Sequence, residues 1–205
     1  MALLNRNRTA ERARWRTVDL LTAAMVGVVF GVAYWGWDSI YGGLGALVSA
    51  LGPAQGLLGG PWLIAGVVAG LLVRRPGAAL FAELLAATVE AVFPGNPWAW
   101  TTLISGGLQG IGVEVALGLL FYRRFGWPVA ALGGALAAAG EMVYEWSAYW
   151  QGYSLVWKLA YLGSFMLSGA VVAGIGGWLL TRALAATGAV DALPAGREAA
   201  RRHAV

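Results

Sequence analysis

Cysteine is absent from the chain, and histidine occurs once, at His203 in the C-terminal tail. Without a thiol, disulfides, iron–sulfur clusters, thiolate metal sites and S-palmitoylation are all excluded. With the lone imidazole in the tail, bis-His haem and His-ligated metal within the body of the chain are excluded too, and no cofactor or metal is expected. Lysine also occurs once, at Lys158 within Leu-Val-Trp-Lys-Leu, so the Gly-Lys-Ser/Thr of a Walker A phosphate loop is missing. Any driven transport must therefore draw its energy from another subunit or from an ion gradient. Charge is scarce as well. Charged residues make up 12% of the 205 residues and hydrophobic ones 59%, against about 25% charged in an ordinary soluble domain. The bilayer is the expected solvent.

Apolar runs over residues 18–37, 56–73, 77–93, 101–122, 128–149 and 159–181 predict six transmembrane helices in an all-α integral membrane protein. The stretch 39–52 is apolar but too short to cross, and it contains Gly42, Gly43 and Gly45; it reads as a re-entrant or interfacial loop, or a lid. The basic N-terminus leads into a full-length span without a small-residue cleavage site, so the first span is expected to stay as a signal anchor. Orientation follows from the cations. Arg6, Arg8, Arg12, Arg14, Arg16, Arg74, Arg75, Arg123, Arg124, Arg182, Arg197, Arg201 and Arg202 fall on one side of the six-span arrangement, and Lys158 on the other. Because cations are retained in the cytoplasm, both termini are expected there. The organisation expected is a basic cytoplasmic segment at 1–17, in which Trp15 and the arginines suit an amphipathic helix on anionic headgroups or a solvated topology signal. A membrane domain follows at 18–182, and a cytoplasmic tail at 183–205 that reads as frayed or disordered. Multi-pass residence in the cell membrane follows.

Five glutamates interrupt the predicted spans: Glu83, Glu90, Glu114, Glu141 and Glu145. An ionised carboxylate near the bilayer centre costs roughly 2.5 to 3.5 kcal/mol even on lenient scales, and no Arg or Lys lies within a span to pair with it. What remains is protonation, a wet cavity, hydrogen bonding to backbone, or a cation brought by a ligand. At about 100° per residue, Glu83 shares a face with Glu90 and Glu141 shares one with Glu145; Tyr149 extends the second stripe outward. Gly107, Gly110, Glu114 and Gly118 share a face of their own, with Gln109 off it. Aromatic residues crowd the predicted outer ends: Trp35, Trp37 and Tyr41; Trp98 and Trp100; Trp146, Tyr149, Trp150, Tyr153 and Trp157. An interfacial belt accounts for many of them but not for the scarcity of rings inside. Trp faces beside carboxylates suit a small, planar, positively charged solute. On the first span, Ala23, Gly27 and Gly31 form a small-residue ridge of the kind along which helices approach closely in lipid, suited to docking a partner subunit or to internal packing.

The stretch Arg75-Pro-Gly-Ala-Ala-Leu, then Glu83, Glu90 and Gly95-Asn96-Pro97, followed by Gly107-Leu-Gln109-Gly-Ile-Gly and Glu114, resembles the YkoE-like substrate-binding (S) components of energy-coupling-factor (ECF) transporters. The resemblance covers roughly residues 15–181 and is most specific between Arg75 and Glu114. It implies a six-helix S-component bundle that captures thiamine or its hydroxymethylpyrimidine precursor outside the cell. Its partners would be a transmembrane coupling (T) subunit and two cytoplasmic ATPases. On this resemblance Glu90, Glu83 and Glu114 neutralise or hydrogen-bond the ligand, Gln109 and Asn96 meet its polar edge, and Trp35, Trp98 and Tyr149 stack on it. Glu141 and Glu145 complete the expected set, and Ala23, Gly27 and Gly31 the partner face. The cobalt label sometimes attached to such proteins meets no His, Cys and Asp cluster here.

Three other classes compete. An ion-coupled secondary transporter of a small organic cation would use the glutamates as a relay, with uptake that survives loss of an ATPase and collapses with a protonophore. An enzyme built on a carboxylate pair would lack His, Cys and a central Lys, and is not expected. A purely structural bundle would leave the acids satisfied internally.

Overall fold

The computed structural model describes residues 14–203, and no strand occurs among them. Arg6, Arg8 and Arg12, part of the segment that suits an amphipathic helix or a solvated topology signal, lie outside the described residues. Helix α1 runs Thr17–Gly43 and α2 Gly45–Ala50. Two 3-10 segments, Gly52–Leu58 and Gly60–Leu63, lead into α3, Ile64–Val73. Then come α4, Ala78–Val92; α5, Thr102–Leu119; and α6, Trp127–Ala148. Helix α7 spans Leu155–Ala186 with a π-helical stretch at Gly169–Gly176, and α8 is Pro194–His203.

Three of these helices, α1, Ala99–Leu119 and α7, are long and apolar enough to cross a membrane unaided, and a fourth is if the bent pair Gly52–Leu58 and Gly60–Val73 counts as one span. The bend is 44°. The sequence reading took 56–73 as an unbroken helix. Pro53 and Pro61 remove backbone donors and Gly56, Gly59 and Gly60 lower the cost of irregular backbone, so the chain tightens into 3-10 turns before α3 begins. Those turns are pinned to α7: Ser164 Oγ donates to the Pro53 carbonyl at 2.7 Å, and Ser168 Oγ donates to that of Leu57 at 2.6 Å. The Gly60 N–H donates back to Ser168 Oγ at 3.1 Å.

Helix α3 is the axis of the bundle, with every residue from Ala65 to Val73 buried. Leu63, Val67 and Leu71 pack with Ala79, Val113, Leu117, Ala137 and Phe165 on one side. Val68 and Leu72 pack with Ala23, Ala78 and Leu193 on the other. Where helices cross most tightly the contact is backbone on backbone, as packing in lipid favours. A Cβ added at Gly134 of α6 would collide with the Gly169 carbonyl at the start of the π-helical stretch.

The ridge of Ala23, Gly27 and Gly31 faces inward. A Cβ at Gly27 would stand 2.8 Å from the Ala82 carbonyl oxygen, and one at Gly31 2.6 Å from that of Ala86. These positions are spent on packing α1 against α4, so they are not an exposed partner face. The tail also departs from expectation. Instead of fraying, it folds into α8, buries Leu193 at 2% exposure, and joins Glu198 to Arg74 at 2.7 Å. Leu193 and Val190 are the apolar anchors that a reading of its Ala-, Gly- and Arg-rich composition passes over.

Candidate ligand-binding site

A cavity of about 300 Å³ lies where the C-terminal ends of α1, α4 and α6 meet the N-terminal ends of α3, α5 and α7. The arginine-bearing turns, at Arg74, Arg75, Arg123 and Arg124, sit at the opposite ends of these helices. Three carboxyl groups line the cavity, those of Glu90, Glu141 and Glu145, and no Arg, Lys or His does. Lys158, in the first turn of α7, is not in the lining: it is 7% exposed, with its ammonium 4.9 Å from the centre of the Trp146 ring.

The acids are held individually. Gln109 Nε2 donates to Glu141 at 3.2 Å, and Trp150 Nε1 donates to Glu145 at 3.2 Å. Glu90, only 4% exposed, lies near the carboxyl of Asp38. Asp38 in turn accepts the Trp62 indole N–H at 2.8 Å through one oxygen, while its other oxygen has no donor. Two adjoining carboxyls repel unless a proton or a cation lies between them.

Two aromatic walls complete the cavity. Trp62 meets Trp98 edge to face with ring centres 5.6 Å apart, and Tyr41 meets Trp62 at 5.2 Å. In a second group Trp150 and Tyr161 are 5.0 Å apart, and Phe165 lines the cavity with them. Rings and carboxylates lining one cavity attract a flat cationic solute through both stacking and cation–π terms.

Of the residues expected at the site, Glu90, Gln109, Trp98, Tyr149, Glu141 and Glu145 line this cavity together. The other four do not. Glu83, with 0% exposure, accepts the Gly66 N–H at 2.7 Å and the Tyr34 hydroxyl at 3.2 Å. It thus caps the mid-bundle start of α3, with Tyr34 between it and the cavity. Glu114 accepts from Gly77 N–H at 2.9 Å and Ala79 N–H at 2.8 Å, and from the Tyr122 hydroxyl, at the opposite end of the bundle. Asn96 is a turn residue: Oδ1 accepts from Trp98 N–H at 2.7 Å and Nδ2 donates to the Glu90 carbonyl at 3.2 Å. Trp35 stacks on Phe93 at 4.9 Å and donates to the Pro94 carbonyl at 2.9 Å. Helix starts left without their own caps recruit such groups from neighbours.

Residues missed by sequence reading are Tyr34, Gln55, Trp62, Ser105 and Tyr161 in the lining, and Asp38 behind it. Asp38 carried a readable signal, being an acid at the outer end of the first run, four residues after Tyr34 and so on the same helical face. Trp62 and Gln55 gave none, because only the broken helix brings them inward.

This arrangement, an all-helical bundle with a small polar-aromatic hollow at one end, is the fold of an S component. The chain belongs to the family described as ABC-type cobalt transport system, permease component, whose model matches residues 18–140. It is 29% identical over 191 residues to the putative HMP/thiamine permease protein YkoE of Bacillus subtilis (strain 168), covering 90% of this chain and 92% of that one. It also superimposes on a crystal structure of an S-component of an ECF transporter with a TM-score of 0.83 at 27% identity, over 93% of this chain and 95% of that one. The chain is accordingly a membrane transport subunit of the S-component kind and not an enzyme. Among the described residues, no group of three or more His, Cys, Asp or Glu side chains is placed to hold a metal ion.

Proposed function

We propose that the chain captures thiamine, or its hydroxymethylpyrimidine precursor, on the extracellular side of the cell membrane and presents it for ATP-driven uptake. The observation that carries this reading is a cavity of about 300 Å³ lined by three carboxyl groups and two aromatic walls, without one basic residue of its own. Such a hollow lacks a positive charge, and a thiazolium brings one. Its aminopyrimidine supplies the hydrogen-bonding edge that Gln109 and Ser105 can meet, and Trp62, Trp98 and Tyr149 supply faces for the rings. The printed name of the Bacillus subtilis relative, an HMP/thiamine permease protein, supports the same solute.

In this reading six helical passes cross the membrane, with α4 short at 15 residues and α3 completed by the bent turns before it. Arginine-bearing turns and both termini face the cytoplasm, following the retention of cations on that side. A coupling subunit and two ATPases are the expected partners, since the chain has no phosphate loop.

Titrating the purified protein with thiamine, hydroxymethylpyrimidine and Co²⁺ while following tryptophan fluorescence tests the proposal. Saturable quenching by thiamine or the pyrimidine is expected. A response to Co²⁺ alone, or to none of the three, overturns it.

A further inference from the structure

A second constellation lies at the arginine-bearing end of the bundle. A cavity of about 420 Å³ there is lined by Arg74 at the end of α3, Arg123 from the turn between α5 and α6, and Arg182 near the end of α7. Glu198 of α8 is the one acid in its wall, and it pairs with Arg74 at 2.7 Å. Neither Arg123 nor Arg182 has a carboxylate within ion-pair distance among the described residues. The guanidinium groups rest on rings: Arg182 lies 5.0 Å from the Trp178 ring centre, Arg74 4.5 Å from Phe125, and Arg123 5.9 Å from Phe121. Stacking engages the face of a guanidinium and leaves its in-plane donors free, and that fork fits two oxygens of a phosphate.

Next to this basic cavity is a largely apolar groove of about 520 Å³, bounded by Leu120, Pro128, Val129 and Leu132, with Arg124 as its one charged residue. Phe125 and Gly126 line both. Trp127, at their junction, is 53% exposed, as an indole at a membrane surface would be. A soluble phosphate would use the arginines and leave the groove unfilled. An anionic lipid uses both.

We propose that the two cavities together hold one anionic phospholipid, with its phosphate between Arg123 and Arg182 and an acyl chain along the groove at Leu132. This site is separate from the solute cavity and does not depend on which vitamin that cavity takes.

Native mass spectrometry of the detergent-purified chain, with phosphatidylglycerol and phosphatidylcholine of matched acyl chains, tests it. Phosphatidylglycerol is expected to be retained at least about tenfold more tightly than phosphatidylcholine. The R123A/R182A double variant should lose that preference, R182K should lose part of it, and Leu132→Trp should weaken lipid retention by filling the groove. Unchanged helicity by circular dichroism and monodisperse elution show that each variant is folded. Equal retention of the two lipids, or an unchanged preference in a folded double variant, overturns the proposal. So does displacement of the lipid by millimolar inorganic phosphate, which would make this a free-anion site. A double variant that keeps its lipid preference but no longer assembles with a coupling subunit would assign the arginines to a protein interface, and would overturn it too.

Discussion

Glu83 accepts the Gly66 N–H at 2.7 Å, so this fully buried acid caps a broken helix and does not face the cavity. Glu114 does the same for α4 through Gly77 and Ala79. The five glutamates therefore divide into two sets: Glu83 and Glu114 meet the free N–H groups of helix starts, while Glu90, Glu141 and Glu145 border a hollow.

That division gives the first prediction. Glu90→Gln removes a charge from the cavity wall while keeping its shape, and should weaken thiamine binding about tenfold or more, roughly 1.4 kcal/mol. Tryptophan-fluorescence titration measures it, and an unaltered affinity would take Glu90 out of the site.

Glu114→Ala should behave oppositely. It leaves the first N–H groups of α4 and the Tyr122 hydroxyl without their acceptor, at about 1 to 3 kcal/mol. Thermal unfolding in detergent should show a lowered midpoint, with thiamine affinity of the folded protein unchanged. A tenfold loss of affinity at full stability would contradict the assignment.

Much of this was legible in the sequence, and the limits have physical causes. Each of the six apolar runs lies largely in helix, because apolar length is a local property. Glu83 with Glu90, and Glu141 with Glu145, were legible as pairs on common helical faces, because helical spacing follows from counting residues. Whether an acid in a helix meets a ligand or a neighbouring helix start was not legible, since the backbone donor to Glu83 lies 17 residues away and those to Glu114 lie 34 to 37 residues away. Nor does composition show that a tail rich in Ala and Arg will bury Leu193 in a cluster with Ala23, Val68, Leu72 and Ala78.

Asp38 sits behind the cavity, accepting from Trp62 and lying near Glu90. Asp38→Asn retains an acceptor for the Trp62 indole and offers Glu90 a donor in place of a second carboxyl. Thiamine affinity should fall less than in Glu90→Gln. The drop in affinity as pH is lowered should also be less steep, because one of two facing acids is gone. Calorimetric titration across pH would check both, and a larger loss than in Glu90→Gln would mean that Asp38 itself meets the ligand.

The α6 to α7 crossing supplies a stability test. Gly134→Leu forces a side chain into the Gly169 carbonyl and should cost about 3 kcal/mol or more, enough to prevent recovery of folded protein. Gly36→Ala, where an added Cβ meets nothing within 4 Å, should be tolerated. Comparing yields of monodisperse protein distinguishes the two, and equal yields would refute the tight crossing.

Because Glu83 accepts from Gly66 at the start of α3, the positive end of that helix is answered from inside the bundle and not by anything in the hollow. The hollow itself has three carboxyl groups and no arginine in its wall. On the proposed function, the unesterified compound is therefore expected to bind more tightly than its phosphate esters.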